Sequence, residues 1–148
     1  MKITIKKAES PVSIAILCLE GKLDGSNYES LIKEAQQVYM GGVRDILLDL
    51  GKLTFISSAG LAAFHQVALL FRGEALADQD EGWAAYHAIS RALGGGKQEH
   101  VKLLSPSQLV QDVLDITGFD TLFDIYTDLD QAIASFHLPV GALAKQIS

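Results

Sequence analysis

Asp45-Ile46-Leu47-Leu48-Asp49-Leu50-Gly51-Lys52-Leu53-Thr54-Phe55-Ile56-Ser57-Ser58-Ala59-Gly60-Leu61 is the stretch on which the fold turns. Its opening, Asp45–Leu50, is a short and mostly apolar run without alternation, the pattern of a strand covered on both faces. Gly51-Lys52 reads as a turn before a second apolar run, Leu53–Ile56. Two serines then stand where a helix begins, because Leu61, Phe64, Ala68 and Phe71 form one stripe at helical spacing up to Arg72-Gly73. A strand handing over to a helix in this way is the repeating unit of an α/β sheet.

Upstream, residues 2–7 alternate, with Ile3 and Ile5 on one side and Lys2, Thr4 and Lys6 on the other, which predicts a half-exposed edge strand. After the Glu9-Ser10-Pro11 turn, Val12–Leu19 is apolar on both faces and predicts a central strand. Gly21, Asp24 and Gly25 predict a loop, and Ser26-Asn27-Tyr28-Glu29 has the spacing of a capping box. The helix it opens carries Leu31, Ile32, Ala35, Val38 and Tyr39 and ends at Gly41-Gly42. Downstream, Trp83, Tyr86, Ile89 and Leu93 give a short helical pattern, followed by the flexible join Gly94-Gly95-Gly96. His100–Leu104 predicts a strand, and Ser105-Pro106-Ser107 offers an N-cap and an early-helix proline. A helix through Val110, Val113, Leu114 and Thr117 stops at Gly118. Leu122–Tyr126 predicts a last strand, and Asp128 caps a helix through Leu129, Ala132, Ile133 and Phe136. The order β-β-α-β-α-β-α-β-α implies an α/β fold with a mixed, mainly parallel sheet and packed helices. One domain over 1–138 is expected, with 139–148 a flexible C-terminal tail.

Composition narrows the function classes. The chain has 148 residues, 49% of them hydrophobic and 20% charged, which supports a folded core and excludes a disordered chain. A formal net charge of −6 and the lack of a Lys/Arg cluster argue against nucleic-acid binding. The only cysteine, Cys18, reads as a small buried hydrophobe, so neither an intrachain disulfide nor a thiolate metal site can form. The N-terminus lacks a signal-peptide core and no apolar stretch is long enough for membrane insertion, which makes the cytoplasm the expected location.

The serine turn is the best candidate for chemistry, since sites in open α/β sheets gather beyond the carboxyl ends of strands. On spacing alone, Ser57 or Ser58 is a helix cap. The other candidates are weaker. Gly94-Gly95-Gly96-Lys97 is followed by Gln98 where a phosphate loop needs Ser or Thr. His65, His87, His100 and His137 are scattered and suggest no metal centre, with His65 expected on the exposed side of its helix. The residues flanking Ser58 lack the Gly-x-Ser-x-Gly elbow of serine hydrolases. The acidic run Glu74–Glu81 is either a solvated loop or, with Trp83 and Tyr86, a docking surface.

Phe55-Ile56-Ser57-Ser58-Ala59-Gly60-Leu61 resembles the signature of the STAS domain in the anti-sigma factor antagonist family: an aromatic, an apolar residue, Asp or Ser, the phosphorylatable Ser, a small residue, Gly and Leu. Gly21-Lys22-Leu23-Asp24, Leu114–Phe119 and Leu122–Tyr126 resemble further family segments, so the likeness covers most of 1–72 and 100–137. The departure is the extended connection at about 73–99. The resemblance implies a STAS-type fold, a phosphoacceptor at Ser58, and a partner-binding surface of Asp24, Ser57, Ala59, Gly60 and Leu61. Asp24 is equally well read as a solvated loop acid or an extra cap. The resemblance further implies a switch that is not an enzyme and has no cofactor. Unphosphorylated, it would sequester an anti-sigma factor serine kinase, which phosphorylates it, and a metal-dependent serine phosphatase would reset it. ATP and metal would belong to those partners. The alternative is a non-switching STAS scaffold in a stressosome-like or transport-associated complex.

Overall fold

A computed structural model describes residues 1–9, 13–72 and 98–136. The elements are β1 (Lys2–Glu9), β2 (Ser13–Leu23), α1 (Tyr28–Met40), β3 (Asp45–Ile56), α2 (Ser58–Phe71), β4 (Val101–Leu104), α3 (Gln108–Thr117), β5 (Ile125–Tyr126) and α4 (Leu129–Ser135). Among the described residues, their order is the one read from the sequence. The strands form one five-stranded sheet in the order β1-β2-β3-β4-β5. β1 is an antiparallel edge, and every other pairing is parallel.

β2, β3 and β4 carry near-continuous apolar runs because both faces of the sheet are used. One face buries Leu17, Leu48 and Leu103 against Leu31 and Ala35 of α1, Phe64 of α2 and Leu114 of α3. Each fully buried leucine or phenylalanine there stabilises the fold by about 1.5–3 kcal/mol. The opposite face holds a smaller cluster, Ile14, Ile16, Leu47 and Leu104, covered by Ala132 of α4 and by Phe136 at its C-cap. Lys102 of β4 also lies beneath this helix. Its Nζ donates to the Ser135 carbonyl at 3.3 Å and hydroxyl at 3.0 Å, and sits 4.7 Å from the Phe136 ring centre.

Several sequence-level expectations need correction. Gly51-Lys52 is not a turn, because β3 runs unbroken from Asp45 to Ile56. β2 likewise continues through Gly21, which takes φ +104°, as far as Leu23. In both cases pairing of the flanking residues with the parallel neighbour overrides local turn chemistry. The Ser26–Glu29 capping box does not form: Asn27 is the N-cap and makes no side-chain capping bond. Ser107, not Pro106, begins the cap of α3, its hydroxyl accepting from Val110 N at 3.4 Å, so Pro106 precedes the helix. The last strand contracts to Ile125–Tyr126, while Leu122 and Phe123 enter the core beside a short 3-10 turn, Phe119–Thr121. The Ser10-Pro11 turn, the acidic run 74–81, the helical pattern 83–93, the glycine join, His87, His137 and the tail 139–148 lie outside the described residues, as does nearly all of the 73–99 connection.

Candidate functional site

The serine turn is built by the last pairs of the β2–β3 ladder. Cys18 pairs with Asp49 and Glu20 with Lys52, then Gly21 with Leu53 and Lys22 with Phe55, so β3 carries one extra residue in each interval. These two bulges bend the strand and break its alternation. As a result Thr54 and Phe55 both face solvent while Leu53 and Ile56 stay buried. Thr54 Oγ1 donates to Gly21 O at 3.0 Å, and Ser57 N donates to Leu23 O at 2.9 Å. The end of β2, and with it the loop at Asp24, is therefore tied directly beside the two serines.

The serines divide their work. Ser57 is extended (φ −95°, ψ 176°), and its hydroxyl accepts from Gly60 N at 3.3 Å while its carbonyl accepts from Leu61 N at 3.0 Å. It is thus the N-cap of α2. Ser58 is the first helical residue, solvent-exposed, and among the described residues no hydrogen bond engages its hydroxyl. A helix N-terminus presents free N–H donors and partial positive charge, a setting that stabilises an anion attached there. Ala59 is half-buried. Gly60 and Leu61 are buried beneath the turn and serve the site by packing. A Cβ on Gly60 would stand 2.8 Å from Ile56 Cγ1 and 2.9 Å from Leu23 Cγ, which explains glycine at this position.

Asp24 is half-buried and well occupied. Its Oδ1 accepts from Ser26 N at 2.9 Å and from the Ser26 hydroxyl at 2.5 Å, and its carbonyl accepts from Tyr28 N at 2.9 Å. The Ser26 hydroxyl, followed by its backbone N–H, holds the Asp24 carboxyl below its ordinary pKa. Asp24 therefore organises the loop.

His65 does not lie on an exposed helix side. It is 1% exposed, with its ring 4.5 Å from Phe119 and 6.5 Å from Phe123, centre to centre and edge-on. The 3-10 turn folds over this side of α2, and burial pushes the imidazole pKa down to about 4. The sequence reading placed Phe55 in the signature but missed its exposure of 41%, which makes it an aromatic neighbour of the serines on the surface. Only the broken alternation of Leu53-Thr54-Phe55-Ile56 hinted at it. Among the described residues, no group of three or more His, Cys, Asp or Glu side chains could hold a metal ion, and no helix is long and apolar enough to cross a membrane.

The family model of the STAS domain matches residues 5–74, which contain both serines and the Asp24 loop. The chain is 29% identical over 136 residues to BtrV of Bordetella bronchiseptica, provisionally named an anti-sigma factor antagonist, covering 92% of this chain and 95% of that protein. Its fold is similar to that of a Thermotoga maritima protein likewise provisionally named (TM-score 0.64, 20% identity, 91% and 94% of the two chains). It is also similar to the unphosphorylated form of the anti-sigma factor antagonist SpoIIAA (TM-score 0.54, 18% identity, 88% and 93%). The mixed, mainly parallel sheet is thus the STAS fold expected from the sequence.

Proposed function

We propose that this chain, whose residues 5–74 match the family model of the STAS domain, is an anti-sigma factor antagonist whose grip on an anti-sigma factor serine kinase is released by phosphorylation of Ser58. One observation carries the reading: the Ser58 hydroxyl is exposed and unengaged at the head of α2 because Ser57 has taken over capping. The name of the BtrV relative supports the class of function. The protein is a ligand and a substrate; the kinase brings ATP, and a metal-dependent serine phosphatase resets the switch.

The physics of release is local. In the transfer step the Ser58 oxygen bonds to the terminal phosphorus of ATP, the bond from that phosphorus to the bridging oxygen breaks, ADP leaves, and the hydroxyl proton passes to the kinase or solvent. The product carries roughly two negative charges at pH 7. The domain itself tolerates them, since they sit on the N-terminal N–H groups of α2. A partner docked over Ser58, Phe55, Ala59 and Asp24 would have to desolvate the phosphate. A penalty of about 3 kcal/mol weakens binding roughly a hundredfold.

The test is incubation with the cognate kinase and ATP, followed by mass-spectrometric mapping and a binding titration. Label at Ser58, lost in Ser58→Ala, is expected. Ser58→Ala should retain the kinase, and Ser58→Asp should bind it roughly ten- to a hundredfold more weakly. Equal binding by both variants, with no label, would abandon the switch in favour of a non-switching STAS scaffold.

A further inference from the structure

Among the described residues, the second face of the sheet is only partly covered. Beyond α4 a groove of about 620 Å³ opens over β1, β2 and β3, within the roughly 300–1,000 Å³ span of small-molecule sites. It is bordered by the carboxyl end of β4 at Leu104 and by Ser105 and Thr127, which follow β4 and β5. That is where open α/β sheets place ligands. The first bulge of β3 falls between Asp49 and Lys52, at the groove wall. Ser105 adopts φ +51°, a left-handed conformation that non-glycine residues rarely take and that gathers at binding sites.

The lining has two characters. Cys18, Leu104 and Leu129 give it an apolar floor and wall, and Leu129 remains 44% exposed there. Lys2, Lys6 and Lys52 surround it with ammonium groups, in a chain whose formal net charge is −6. None of these three lysines forms an ion pair among the described residues. Of the two carboxylates present, Asp49 already accepts from Gly51 N at 3.0 Å and from Cys18 Sγ at 3.6 Å. Glu20 stands opposite Lys2 in the strand register. Lys6 and Lys52 form no ion pair among the described residues, and both pull the Cys18 thiol pKa down, against the larger opposing effects of burial and of the Asp49 carboxylate.

We propose that this groove binds an amphiphilic organic anion, its apolar body on Cys18, Leu104 and Leu129 and its acidic head met by Lys6 and Lys52. The site is separate from Ser58, and the proposal stands whether or not Ser58 is phosphorylated. Burying a short hydrocarbon chain supplies affinity, and the cations supply selection by charge. The experiment is a calorimetric titration of the full chain with decanoate and, in parallel, with decan-1-ol, the uncharged analogue. Decanoate should bind saturably with a Kd below about 1 mM, and the alcohol at least roughly fivefold more weakly. Lys6→Gln combined with Lys52→Gln, both at exposed positions, should weaken decanoate roughly tenfold. Thr4→Trp, which fills the groove from the exposed side of β1, should abolish binding while leaving the circular dichroism spectrum intact. No saturable decanoate binding, equal binding of the alcohol, or undiminished affinity in either folded variant overturns the proposal.

Discussion

Lowering the pH should weaken this domain through His65. The buried imidazole titrates at about 4 against an ordinary 6.5. Below about pH 6.5 the unfolded chain takes up a proton at this residue and the folded chain does not, so stability falls as pH falls, and the slope ends near pH 4 where the folded form also protonates. One proton through one pH unit is worth about 1.4 kcal/mol, so the loss from this residue is about 2 kcal/mol at pH 5 and about 3 kcal/mol in full. His65→Leu removes the titration and keeps an apolar neighbour for Phe119. Urea denaturation of both proteins at about pH 7.5 and about pH 5 isolates the effect, because carboxylate contributions cancel in the difference. The wild type should lose about 2 kcal/mol more than the variant, roughly 1 M in midpoint for a slope of about 2 kcal/mol per molar. Parallel losses in the two proteins would refute the assignment of His65 as a buried neutral imidazole.

The turn itself offers two stability tests. Gly60→Ala drives a methyl group into Ile56 and Leu23; overpacking of this kind costs about 1–3 kcal/mol, partly offset by the better helix propensity of alanine. A net loss should appear in urea denaturation and shrink in an Ile56→Ala background. Ser57→Ala removes the acceptor of Gly60 N and should cost about 1 kcal/mol. Ser58→Ala should cost less in the same assay, since its hydroxyl caps nothing.

Much of the architecture was legible in the sequence, because periodicity and caps agreed with tertiary packing. The stripe Leu61, Phe64, Ala68, Phe71 is buried as read, Gly118 stops α3 with φ +80°, and the Asp128 side chain accepts from Gln131 N at 3.1 Å. The misreadings share a cause: each depends on a contact that local pattern does not encode. Gly51 sits in a strand because β2 runs alongside it, Ser26 turns to Asp24, and His65 is covered by residues more than fifty positions downstream. At the candidate site the residue types were readable and the division of labour was not. Which serine caps and which stays open is decided by where the bulged strand ends, and the broken alternation of Leu53–Ile56 was the only local trace of it.

Those two extra residues in β3 matter for whatever docks at the turn. Gly51 N held by Asp49 lies within the first irregularity and Thr54 Oγ1 held by Gly21 O within the second, so each is pinned by a side-chain bond. A slip of register by one residue would turn every side chain to the other face, so the bulged register fixes which residues reach the turn. Under the proposed switch, a partner would meet a preorganised platform, which lowers the conformational cost of telling a bare hydroxyl from a modified one.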